Sequence, residues 1–231
     1  MMIASSEIQW YGKLPAAGDF VQRRMPPALS TRWSHWFQQG LLDRQQHLPA
    51  GGLPLTSGPV WNFVLPATLG VQQVQLGCLL LSRDRVGRSW PLLAQHSLSV
   101  CEWHPAQLAV AGQWFNALGA TLLAAVENAT PADQLEQALQ ALAPLSRPAQ
   151  DIRLAELEAE DRPGRLAWQE VTRRFDPQHY TSYWWTSLAD QTPLLTHRHS
   201  GNLTARLFTQ LFHPTAGKRA GRHGFYPPMF D

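Results

Sequence analysis

The run VQLGCLLLSRDRVGRSWPLLAQHSL, Val74–Leu98, decides the fold. Its first part, Val74 to Leu81, has the strongest strand signal in the chain, with a nearly continuous apolar second half. Its last part, Trp90 to Leu98, is a second such run. The polar stretch Ser82 to Ser89 separates them and reads as a hairpin or short loop, with Trp90 to Leu98 returning across the sheet. Gly77 sits inside the first strand and marks a bulge or a close approach of another chain segment.

The sequence around this hairpin reads as a layered domain. Ile8 to Leu14 is a short aromatic strand closed by Pro15 and the turn Ala17-Gly18-Asp19. Pro26 and Pro27 open a helix to about Leu42, with Leu29, Trp33, Trp36, Phe37 and Leu41 spaced by three and four. Pro49 to Pro59 is a loop, and Trp61 to Leu65 is a strand ended by Pro66. From Pro105 to about Glu127, Leu108, Ala111, Phe115, Leu118, Leu122 and Ala125 form one helical stripe. Thr130, Pro131 and Asp133 read as the N-cap, first-turn proline and first-turn acid of a second helix carrying Leu135, Ala138, Leu139 and Leu142. Leu166 to Val171 and Tyr183 to Trp185 read as late strands, and Asn202 to Phe212 as a last helix. Short consecutive strands with helices to cover them predict an α/β (α+β) fold on an antiparallel sheet.

Composition narrows the function classes. The 231-residue chain is 44% hydrophobic but only 16% charged, with net charge +2 and ten tryptophans. Near-neutral charge argues against a nucleic-acid binder, and the basic tail Lys218, Arg219, Arg222, His223 has no fold signature around it. A sparsely charged surface places some tryptophans at contacts. Met1 to Tyr11 lacks a signal-peptide pattern and no stretch approaches a membrane span, so the expected compartment is the cytoplasm, with no membrane insertion. Cys78 reads as a buried thiol rather than half of a disulfide with Cys101.

No chemistry-bearing pattern is complete. YGKLPAAGDFVQRRMPP, Tyr11–Pro27, contains Gly12-Lys13, yet Leu14 stands where a phosphate loop needs Ser or Thr, and the glycine-rich half is missing. There is no G-x-S-x-G elbow. His197 and His199 lack the acids or cysteines of a metal site and read as exposed loop histidines. Asp151, Glu156, Glu158, Glu160 and Asp161, interspersed with Arg153 and Arg162, read as a solvated face. The chain is therefore expected to be no enzyme and to carry no cofactor or metal.

Two features remain. The loop Arg83-Asp84-Arg85-Val86-Gly87-Arg88 can be a turn held by its own ion pairs or a recognition surface, since guanidinium groups suit carboxylates and phosphates. The tandem Trp184-Trp185 puts one ring on each side of a strand, into the core or against a partner.

WYGKLPAAGDFVQRRMPPALSTRWSHWFQQGL, WNFVL, GCLLLSRDRVGRSWPLL and SYWW together resemble the TagF family, also called ImpM, associated with bacterial type VI secretion. The resemblance runs from about Trp10 to Trp185. It implies a longin/profilin-like sandwich that serves as a docking module, one domain over residues 1–212. Its core covers about 8–128, a helical and strand extension covers 129–212, and residues 213–231 form a loose basic Gly/Pro-rich tail.

It also implies a non-enzymatic cytoplasmic accessory protein, a post-translational negative regulator of assembly of the secretion machine. The partners implied are a forkhead-associated scaffold protein or a membrane component, linked to a threonine kinase and a PP2C-type phosphatase. A structural subunit of the machine, or an enzyme of another mechanism, is the alternative. Relatives carry a Gly-Leu-Pro segment after the tryptophan pair, where this chain has Ser200-Gly201-Asn202-Leu203. Lys13, Asp19, Arg83, Asp84 and Arg88 are expected to meet on one face, as an ion-pair network or a partner site, with Arg23 and Arg85 nearby.

Overall fold

The computed structural model describes residues 7–47, 59–146, 169–186 and 197–212. Seven strands form one sheet in the order β2-β1-β5-β4-β3-β6-β7, every neighbouring pair antiparallel. They are β1 (Gln9–Gly12), β2 (Val21–Arg23), β3 (Trp61–Leu65), β4 (Gln73–Arg83), β5 (Ser89–Ser99), β6 (Thr181–Thr186) and β7 (His197–Ser200). The β4–β5 hairpin is the spine, in register from Gln73↔Ser99 to Arg83↔Ser89. Gly77 is where strands meet closely: a Cβ there would lie 2.3 Å from the Ala94 carbonyl oxygen.

Alternation along the strands sorts the core into two layers. On one face Trp10, Val64, Leu76, Cys78, Leu80, Leu92 and Trp185 pack beneath α2 (Gln107–Val110), α3 (Gly112–Glu127), α4 (Ala132–Gln140) and α5 (Gln169–Arg174). On the other, Tyr11, Trp61, Phe63, Leu79, Leu81, Leu93 and Trp184 pack beneath α1 (Pro27–His47) and α6 (Ala205–Leu211). The sheet is open and covered on both faces.

The helix α1 has Pro27 at its first position, where the missing N–H costs nothing, and buries Leu29, Trp33, Trp36 and Phe37. Gly40, a poor helix former, sits in its middle because Phe208 of α6 presses there. Tryptophan N–H groups strut the layers. Trp36 donates to the Thr204 carbonyl at 2.7 Å, Trp61 to the Leu211 carbonyl at 2.8 Å and Trp33 to Gln95 at 3.0 Å. Of the tryptophans among the described residues, Trp10, Trp33, Trp36, Trp61, Trp114, Trp184 and Trp185 are buried, and Trp90 and Trp103 are half-buried; Trp168 lies outside the described residues.

Other departures have local causes. The helix expected from Pro105 breaks at Ala111, before Gly112, and restarts when the Phe115 N–H bonds the Ala111 carbonyl. Thr130 is not the cap of α4, because its N–H closes the end of α3 on Ala125; Pro131, extended, takes that position. Val171 does not lie in a strand: it lies in α5, and Phe175, just past the end of that helix, is buried beside it with its N–H on the Val171 carbonyl. His197 and His199 belong to strand β7 rather than a loop, and His199 is buried with its ring on the Asn202 carbonyl. Cys78 and Cys101 are both free, and burial holds the Cys78 thiol well above its ordinary pKa. The acidic cluster Asp151 to Asp161, the tail from 213 and residues 166–168 lie outside the described residues.

Candidate interaction site

The hairpin tip is built around one carboxylate. Asp84 Oδ2 accepts from Lys13 Nζ at 2.9 Å and Arg88 Nε at 2.6 Å, while Oδ1 accepts from the Val86 and Arg88 N–H groups at 3.1 and 2.9 Å. The backbone closes around it, with Asp84 N–H on the Arg88 carbonyl and Gly87 N–H on the Asp84 carbonyl. Gly87 takes φ +87°, open to glycine at little cost. The side chains of Lys13 and Asp84 are 6% and 0% exposed, so the pair is sealed from water.

Burial pushes the Asp84 carboxyl upward, but the Lys13 bond, the two Arg88 bonds and the Lys13 charge outweigh it and hold the group well below the usual carboxylate range. A carboxyl depressed in the folded chain stabilises it above the unfolded value of about 3.9, and that contribution is lost as pH falls through the folded value. We therefore expect Asp84→Asn to lower Tm at pH 7 and to flatten the acid side of the Tm profile. The gap between wild type and variant should begin to narrow as pH falls below about 3.9 and shrink further the lower the pH is taken. Parallel profiles would show that the carboxylate charge does not hold this turn.

The β1–β2 turn docks on the same loop. Arg85 N–H bonds the Ala17 carbonyl at 2.8 Å, and Arg88 Nη2 the Gly18 carbonyl at 2.8 Å. Phe20 stacks on Tyr11 at 5.8 Å, meets Trp90 edge-on at 4.9 Å and lies 4.9 Å beneath Lys13 Nζ.

Of the residues singled out, the structure brings Lys13, Asp84 and Arg88 together. Asp19 is in the adjoining turn but spends Oδ1 on the Phe20 N–H at 2.8 Å. Arg83 and Arg85 are exposed and take no part in the ion pairs. Arg23 is elsewhere, on β2, pairing with Asp133 at 2.9 Å, while its neighbour Arg24 pairs with Glu136 at 2.6 Å. Glu136 also accepts from Trp10 Nε1 at 2.7 Å, so this clip fastens α4 to the sheet edge. The Arg24 bond is the main reason the Glu136 carboxyl is held low. Trp184 and Trp185 lie in the two core layers, 0% and 1% exposed, away from any surface.

Sequence reasoning missed Phe20 and Val86, now 45% and 69% exposed beside the basic loop. An apolar residue inside a polar turn was the available signal. Among the described residues no group of three His, Cys, Asp or Glu could hold a metal ion, and no helix is long and apolar enough to cross a membrane.

An antiparallel sheet under helices on both faces, with a prebuilt basic loop at its end, defines an α/β domain that presents a shaped turn. The family model "TagF N-terminal domain, Type VI secretion system-associated" matches residues 9–142, more than half of the chain, and the chain belongs to that family. The crystal structure of PA0076 from Pseudomonas aeruginosa PAO1 has the same fold. At 22% identity and TM-score 0.69, the match covers 96% of this chain and 99% of that one. A search of curated proteins gave no match.

Proposed function

We propose that this type VI secretion-associated protein is a non-enzymatic accessory of longin/profilin-like docking type, restraining assembly of the machine after translation. It acts by contact with a forkhead-associated scaffold or a membrane component, beside the threonine kinase and PP2C-type phosphatase pathway, in the cytoplasm. One observation carries this reading. The only side chain of the hairpin tip that could serve as a base, Asp84, has both oxygens occupied, while Arg83 and Arg85 face outward without acidic partners among the described residues. Such a loop is made to be touched rather than to react.

The test raises the level of the full chain in its own cell and reads release of the secreted tube protein, with capture of tagged chain read by mass spectrometry. Reduced release, and recovery of the forkhead-associated scaffold or a membrane component by wild type but not by folded Arg83→Ala/Arg85→Ala, is expected. Unchanged release overturns the regulatory reading. Stoichiometric recovery with the assembled machine would support a structural subunit instead.

A further inference from the structure

We infer that the hairpin tip binds an extended acidic segment of a protein partner, with carboxylates flanking one apolar side chain. This rests on the docking reading above and names the chemistry of the partner.

The charge balance points to it. The tip gathers Lys13, Arg83, Arg85 and Arg88 against Asp84 and Asp19, and the Asp84 charge is consumed by Lys13 and Arg88. Positive charge is therefore left over, held mainly by Arg83 and Arg85. Arg88 is tethered at Nε and Nη2, yet its side chain is still 60% exposed. Guanidinium planes match carboxylates in a two-pronged fashion.

The apolar part lies among them. Val86 occupies the tip between Arg85 and Arg88, and Phe20 adjoins in the docked turn, its ring held by Tyr11 and Trp90. An aliphatic side chain laid on the exposed Val86 would sit on the loop that carries Arg83, Arg85 and Arg88. In an extended chain, alternate residues lie about 6.6 Å apart on one side, which suits acids flanking that side chain. A nucleic acid would need a longer basic stripe following its phosphates. The turn is fixed by the buried Lys13–Asp84 pair before any partner arrives, so little ordering is left to oppose binding.

The probe is a fluorescent peptide of glutamates and aspartates around a central leucine, titrated with the full chain. Its controls are the Gln/Asn analogue, the same acidic peptide with serine for leucine, anionic lipid vesicles and a single-stranded oligonucleotide. The acidic leucine peptide should bind in preference to all of them and weaken as salt rises. Arg83→Glu/Arg85→Glu should weaken it about tenfold or more, and Val86→Ser about threefold. Because these side chains are exposed and outside the Asp84 bonds, Tm should hold. Arg83→Gln/Arg85→Gln is the milder pair if it does not.

Equal binding of the neutral analogue, no response to either arginine pair, or tighter binding of vesicles or oligonucleotide overturns the inference. Peptide binding by a chain that leaves secretion unchanged keeps the site and removes the regulatory reading. Repression that survives loss of peptide binding keeps the regulatory reading and removes this site.

Discussion

Trp184→Ala should cost about 3–5 kcal/mol, among the largest losses available to one substitution. The ring is fully buried, 5.3 Å from Phe63 and 5.6 Å from Trp36. Its Nε1 donates to Ser182 Oγ at 2.9 Å, and Ser182 in turn reaches the His199 carbonyl of β7. Alanine leaves a cavity between β6 and α1 and loosens the anchor of the last strand. Trp185→Ala should cost a similar amount on the opposite face, where the ring meets Phe115 edge-on at 4.8 Å. Urea denaturation of both variants checks this. If either fell within about 1 kcal/mol of wild type, that tryptophan would not be a core residue.

Gly40→Val is the second large effect. A Cβ at Gly40 would lie 2.1 Å from Phe208 Cγ, and the atom that must give way is a ring packed on Trp36, Phe37 and Phe212. The seven-residue helix α6 cannot back away without straining the Trp36 and Trp61 bonds to its ends. Overpacking costs about 1–3 kcal/mol or somewhat more, and the gain from replacing a helical glycine is only a few tenths. A net loss of about 3 kcal/mol is expected. Phe208→Ala alone should also be costly, yet the double variant Gly40→Val/Phe208→Ala should lose much less than the sum. Additive losses would mean that the two residues do not compete for the same space.

Elements whose burial followed a simple period were legible. The hairpin, Trp61 to Leu65 and the stripe of α3 stand where the alternation or the three-four spacing put them. The strand β2 was not legible, because three residues with two polar side chains carry no period; its pairing with β1 makes it a strand. The end of α1 ran past Leu42 to His47 because Arg44 is buried against the Phe212 carbonyl, a contact 168 residues distant. At the candidate site, Lys13 and Asp84 stood out as polar residues between apolar runs, and the register Tyr11↔Leu93 brings their turns together. Arg23 misled, since proximity in sequence to Asp19 said nothing of the route β2 takes along the edge towards α4.

The strand order has a consequence for how the chain is made. The face bearing Trp36 and Phe63 is finished by Trp184 and Phe208, so aromatic residues from early in the chain wait for partners near its end. A ribosome adding about 5–20 residues per second needs roughly ten to thirty seconds between Trp36 and Phe208. Through that interval the nascent chain carries a sticky, half-built sheet, and we expect chaperones that hold apolar segments to meet it there.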